Sequence, residues 1–147
     1  MQFTTGGVPS VYAGDEFGLQ GVKEDRAGGD DAVRPEFGPG PADPGGAAAD
    51  VLTLHQFLIG LRRRNPWLHQ ARTTALTVEN RRYAYETRCG DDALLVALNL
   101  DATPMPLAVE QLAGCRAEVI AGTAAPPREL TGATVVAPHG WLVLKPQ

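Results

Sequence analysis

The residues that could do chemistry here are mostly acids. The 147-residue chain holds 17 Asp/Glu against 13 Lys/Arg, and two adjacent acid pairs stand out, Asp15-Glu16 and Asp30-Asp31, the second followed by Arg34. Paired carboxylates serve general acid–base and nucleophilic catalysis when burial and neighbours push their pKa values apart. Asp30 and Arg34 form an acceptor/donor set suited to sugar hydroxyls or to each other, with Asp31 able to replace Asp30. The plainer reading is a solvated acidic loop whose surface ion pair is worth under about 1 kcal/mol. Other chemistries have less to work with. The only serine, Ser10, sits in Gly7-Val-Pro-Ser-Val, which is not a G-x-S-x-G elbow. Cys89 and Cys115 are 26 positions apart and make neither a zinc knuckle nor a disulfide framework. His55, His69 and His139 contain no i, i+4 pair, and no acidic run has EF-hand spacing. No cofactor or metal is expected.

Composition narrows the partners. A net charge of −4 argues against a general nucleic-acid binder, which needs a basic surface. Apolar runs of about five residues fall well short of the ~20 of a membrane span, so no membrane partner is expected. Met-Gln-Phe-Thr-Thr-Gly-Gly at the start lacks the basic and apolar stretches of a signal peptide. These features lead us to expect a soluble, cytoplasmic protein.

The averages hide two unlike halves. Residues 1–50 carry nine carboxylates against Lys23, Arg26 and Arg34, and 11 of the 17 glycines. Residues 51–147 carry eight carboxylates and ten Lys/Arg. A Gly-rich acidic segment buries little apolar surface against its chain entropy. It reads either as a tail or as a long functional loop.

The elements that would position these side chains follow from periodicity. Val8–Ala13 is a short apolar, β-favouring run bounded by glycines, which predicts one strand. Residues 14–46 show no sustained period, and Gly38-Pro-Gly-Pro-Ala-Asp-Pro-Gly-Gly46 breaks both helix and strand. Val51, Leu54, Leu58 and Leu61, widened by Leu52 and Phe57, make a helical stripe. Asp50 is a plausible N-cap, though Ala47–Ala49 could already be helical. Arg62, Arg63 and Arg64 suit the helix C-terminus, and Asn65-Pro66 ends it. Beyond Arg72 the texture changes to short β runs: Thr73–Val78, Arg82–Thr87, Asp92–Leu100, Met105–Val109, Ala117–Ala121, Ala133–Ala137 and Trp141–Leu144. Their punctuation by Gly, Pro and Asp predicts a small antiparallel sandwich or barrel.

At Gly7-Val-Pro-Ser-Val-Tyr-Ala-Gly-Asp-Glu16 the sequence resembles the last signature of the alpha-amylase family (glycoside hydrolase family 13), G-x-P-x-x-Y-x-G-x-E. Gly29-Asp-Asp-Ala-Val-Arg-Pro-Glu-Phe37 is similar to that family's loop after the eighth barrel strand. Leu58-Ile-Gly-Leu-Arg-Arg-Arg-Asn-Pro-Trp-Leu68 is similar to its eighth helix, L-I-x-L-R-R-x-x-P-x-L. The resemblance implies a fold that is mainly β with one long helix: a C-terminal antiparallel β-sandwich preceded by the last β/α unit of an incomplete TIM barrel. It implies a remnant of the catalytic (β/α)8 barrel over residues 1–68 and a C-terminal β-sandwich over 73–147, of the short kind found in bacterial amylases and oligosaccharide glucosidases.

The same resemblance implies a parent enzyme that hydrolyses α-glucosidic bonds with retention, whose catalytic Asp, Glu and Asp match no carboxylate of this sequence. The chain is then expected to be inactive alone, with a structural role and with α-glucan or malto-oligosaccharide reached through the parent. The resemblance gives Asp30 and Arg34 a role in contacting glucose, and Glu16 and Tyr12 structural roles under the barrel mouth. A second reading is a carbohydrate-binding or interaction module, with Tyr83 and Tyr85 on one strand face as the sugar platform and packing as their alternative role. Residues 73–147 are expected to fold autonomously with the helix docked on them, and residues 1–46 to be mobile. Any barrel-facing surface of Leu54, Phe57, Leu58 and Leu61 left unburied would favour self-association.

Overall fold

The computed structural model describes residues 1–33, 45–108, 116–123, 129–130 and 133–147. Arg34, Cys115 and most of the Gly/Pro cluster expected to break regular structure lie outside them. Two compact units are present, one of residues 9–64 and one of residues 1–8 with 65–147.

In the first unit the helix α1 spans Ala47–Arg64. It starts at the alanines, the best helix formers, after Gly46 at φ 59°, so Asp50 falls in the first turn, where a carboxylate suits the dipole. The three arginines close it as expected. Leu61 is fully buried, whereas Leu54 and Phe57 are 38% and 40% exposed. Before the helix, single 3-10 turns cover Asp15–Phe17 and Asp31–Val33. Gly14 and Gly18 bracket the first with φ of 104° and 64°, and a Cβ on Gly18 would lie 3.3 Å from Val51 Cγ2 at the start of α1.

One expected element does not form. Val8–Ala13 is not a strand: the backbone has no ladder, and Val8 and Tyr12 are 83% and 58% exposed. A strand exists only as part of a hydrogen-bonded ladder, and neither sheet of the described residues includes this segment. Local sequence gives these residues an extended bias, not a place in a sheet.

The second unit is antiparallel β. A six-stranded sheet has the order β1-β2-β3-β8-β5-β6, and β4 pairs with β7 in a separate ribbon. The strands are β1 Arg72–Val78, β2 Arg82–Cys89, β3 Asp92–Asn99, β4 Met105–Ala108, β5 Ala117–Gly122, β6 Glu129–Leu130, β7 Ala133–Val136 and β8 Gly140–Pro146. Seven of them match the periodic runs of the sequence. The exception is β6, whose two residues, paired with Ala117 and Glu118, are too few to show a period. The β2–β3 hairpin turns through Gly90-Asp91, with Cys89 opposite Asp92 and Gly90 at φ 61°. Glycine at the first of two loop positions suits a type II′ turn. Bulges at Leu76 and Ile120 interrupt the β1–β2 and β5–β8 registers.

The ribbon covers one face of the sheet. Met105, Leu107 and Val136 from the ribbon pack with Ala84, Leu95, Ala97, Ala117, Leu142 and Leu144 of the large sheet. The opposite face is also buried at its centre, where Tyr85, Val96 and Val143 stand opposite one another across β2, β3 and β8. Burial on both sides explains why β3 reads Ala-Leu-Leu-Val-Ala instead of alternating. Residues 1–8, expected to be mobile with the rest of 1–46, are part of this unit. Phe3 and Thr4 are buried, Thr4 Oγ1 lies 2.6 Å from the Tyr85 hydroxyl, and the Gly6 N–H donates to Thr73 Oγ1 at 3.1 Å.

Candidate functional site

Asp30 stands in a tight loop of the first unit. The Glu24 N–H donates to the Gly29 carbonyl at 3.1 Å, and the Gly29 N–H to the Arg26 carbonyl at 2.9 Å. A Cβ on Gly29 would meet the Glu24 carbonyl oxygen at 1.9 Å, so only glycine fits this crossing. The Val33 N–H then donates to the Asp30 carbonyl at 3.2 Å. The local chain thus holds the backbone of Asp30 firmly and leaves its side chain about half exposed.

The cation that meets Asp30 here is Lys23, with Nζ 2.9 Å from Oδ1. Arg34, its expected companion, lies outside the described residues. Glu24 pairs with Arg26. Of the first acidic pair, Glu16 accepts the Gly14 N–H at 2.8 Å; its carboxylate ties down the 3-10 turn. Asp15 is exposed. Thus the side chains of Glu16, Glu24 and Asp30 each meet a backbone N–H or a cation, a set that accepts hydrogen bonds.

The remaining candidates fall into structural places. His55 Nδ1 lies 2.9 Å from the Val51 carbonyl oxygen, one helical turn back. Cys89 is a half-buried free thiol at the β2 turn. Among the described residues, no three His, Cys, Asp or Glu side chains converge as a metal site, and no helix is long and apolar enough to cross a membrane. Tyr83 and Tyr85 share a face as expected, with ring centroids 5.4 Å apart. Tyr85, however, is fully buried, and burial pushes its phenol up to about 12. The pair cannot serve as a two-ring platform, because the middle of that face is covered. Trp67 donates its indole N–H to Asn65 Oδ1 at 3.1 Å, and Trp141 is half-buried on β8.

The strongest polar cluster of the second unit was not among the expected sites. Asn99 is fully buried. Its Nδ2 lies 2.9 Å from the Thr103 carbonyl oxygen, 3.0 Å from that of Ala137 and 3.2 Å from that of Val136. Its Oδ1 accepts the Asp101 N–H at 3.1 Å. One carboxamide therefore joins the end of β3, the turn into β4 and the end of β7. The signal was present: Asn is the lone polar residue after a wholly apolar run, where a carboxamide survives only if its bonds are made.

Neither a protein-family model nor a curated protein matches the sequence. Solved structures do. An AmyP variant in complex with maltotriose aligns with a TM-score of 0.73 at 21% identity, over 98% of this chain and 32% of that one. A MutB variant in complex with glucose aligns at 0.56 and 21%, over 66% of this chain and 18% of that one. An isomaltulose synthase variant from Erwinia rhapontici NX5, in complex with D-glucose, aligns at 0.55 and 20%, again over 66% and 18%. The chain spans a third or less of the length of these enzymes. Over the stretch it shares with them, it has the fold of alpha-amylase-family (glycoside hydrolase family 13) enzymes, the family its three motifs resemble.

Proposed function

We propose that this chain is the C-terminal portion of an alpha-amylase-family glycoside hydrolase acting on α-glucosidic bonds, and that its own contribution is structural. The observation that carries the reading is the fold match over 98% of the chain to an enzyme that was solved with maltotriose. Retaining hydrolysis needs two carboxyl groups about 5 Å apart across the sugar, and the carboxylates of residues 15–31 are engaged with local backbone, with cations or with solvent. The catalytic carboxylates belong to the part of the parent that this chain does not contain. Asp30 and Arg34 are proposed as glucose contacts at the rim of the parent's site, with Lys23 balancing Asp30 when sugar is absent. The alternative, a self-standing carbohydrate-binding module, loses its best platform with the burial of Tyr85.

The test compares the purified chain with the same chain joined to the coding sequence upstream of it, on a chromogenic α-glucoside and on soluble starch. Turnover is expected only from the longer protein. In that protein Asp30→Ala is expected to lower kcat/KM about 10- to 100-fold, chiefly through KM, the loss for a charged hydrogen bond of roughly 1.5–3 kcal/mol. Sugar release by the short chain, abolished by Asp30→Ala, would overturn the reading.

A further inference from the structure

We draw no further inference here: the strongest candidate, the open apolar groove beside the tip of the β1–β2 hairpin, where Tyr83, Leu98, Leu100 and Met1 line a cavity of about 350 Å³ rimmed by Asn80 and Arg81, carries nothing because nothing in the structure shows what covers it.

Discussion

Tyr85 and Asn99 show what single polar groups do inside this β unit. The Tyr85 phenol is buried against Thr4, and burial pushes its pKa up to about 12. The acid form is therefore favoured by folding. Its contribution is complete below pH 10, the unfolded pKa, and is lost as pH rises toward 12. The full effect is of order 2 kcal/mol. Urea midpoints measured at pH 9 and pH 11 should show this decline in the wild-type chain. Tyr85→Phe should flatten it, because phenylalanine has no proton to lose, while Thr4 Oγ1 keeps its bond to the Met1 carbonyl oxygen; an unchanged slope in that variant would place the alkaline loss elsewhere. Asn99 works by donation and acceptance together. Asn99→Ala strands up to three carbonyl oxygens and one N–H, a cost of about 2–4 kcal/mol. Asn99→Asp should be worse at neutral pH, since a carboxylate cannot donate to carbonyls, and should recover partly on acidification as the side chain takes up a proton. Thermal denaturation of the two variants at pH 7 and pH 5 checks the order. The sequence advertises both residues only faintly. A tyrosine in a strand can face solvent or core, and which one depends on a segment 81 residues away.

At the scale of elements, the sequence was most legible where a pattern repeats. The stripe of Val51, Leu58 and Leu61 and the arginine-loaded end of α1 have one reading, and seven strands follow from their punctuation. What stayed hidden are features defined by contact with distant chain: β6, with two residues, and the absence of Val8–Ala13 from both sheets. The close crossings are hidden too. Gly6 and Gly29 look like loop glycines, yet a Cβ on Gly6 would sit 2.0 Å from the Ala71 carbonyl oxygen, and one on Gly29 1.9 Å from that of Glu24. These are clashes with backbone, so relief requires moving a whole segment. Gly6→Ala is expected to cost about 2 kcal/mol or more of the β unit's stability, whereas Gly45→Ala, which meets nothing within 4 Å, should leave it unchanged. Gly29→Ala should spare that global transition and loosen residues 24–31, read as faster amide exchange there. Equal melting of the Gly6 and Gly45 variants would show that the crossing at Ala71 is not tight in solution.

On the scale of the whole molecule, the β unit is discontinuous in sequence. It begins with residues 1–8, is interrupted by residues 9–64, and resumes at Asn65. The chain before the interruption meets the chain after it at Gly6, which packs on Ala71 and donates to Thr73 Oγ1, in turn 3.0 Å from Thr87 Oγ1. The expected autonomy of residues 73–147 leaves aside residues 1–8 and 65–72, which belong to the same compact unit. Phe3 is only 7% exposed and Thr4 only 3%, and burying a phenylalanine stabilises by roughly 1.5–3 kcal/mol. A chain of residues 65–147 alone should be about 2–4 kcal/mol less stable than one in which residues 1–8 are joined to 65–147 by a short Gly/Ser linker. Because Gly6 already lies against Ala71, the linked form should melt in one transition near the β-unit transition of the intact protein. If the linked and unlinked forms unfold at the same urea concentration, residues 1–8 are only an adherent tail. If the linked form alone retains the high Tyr85 pKa, the Thr4–Tyr85 contact is part of the core, and residues 1–8 with 65–147 fold as one unit without residues 9–64.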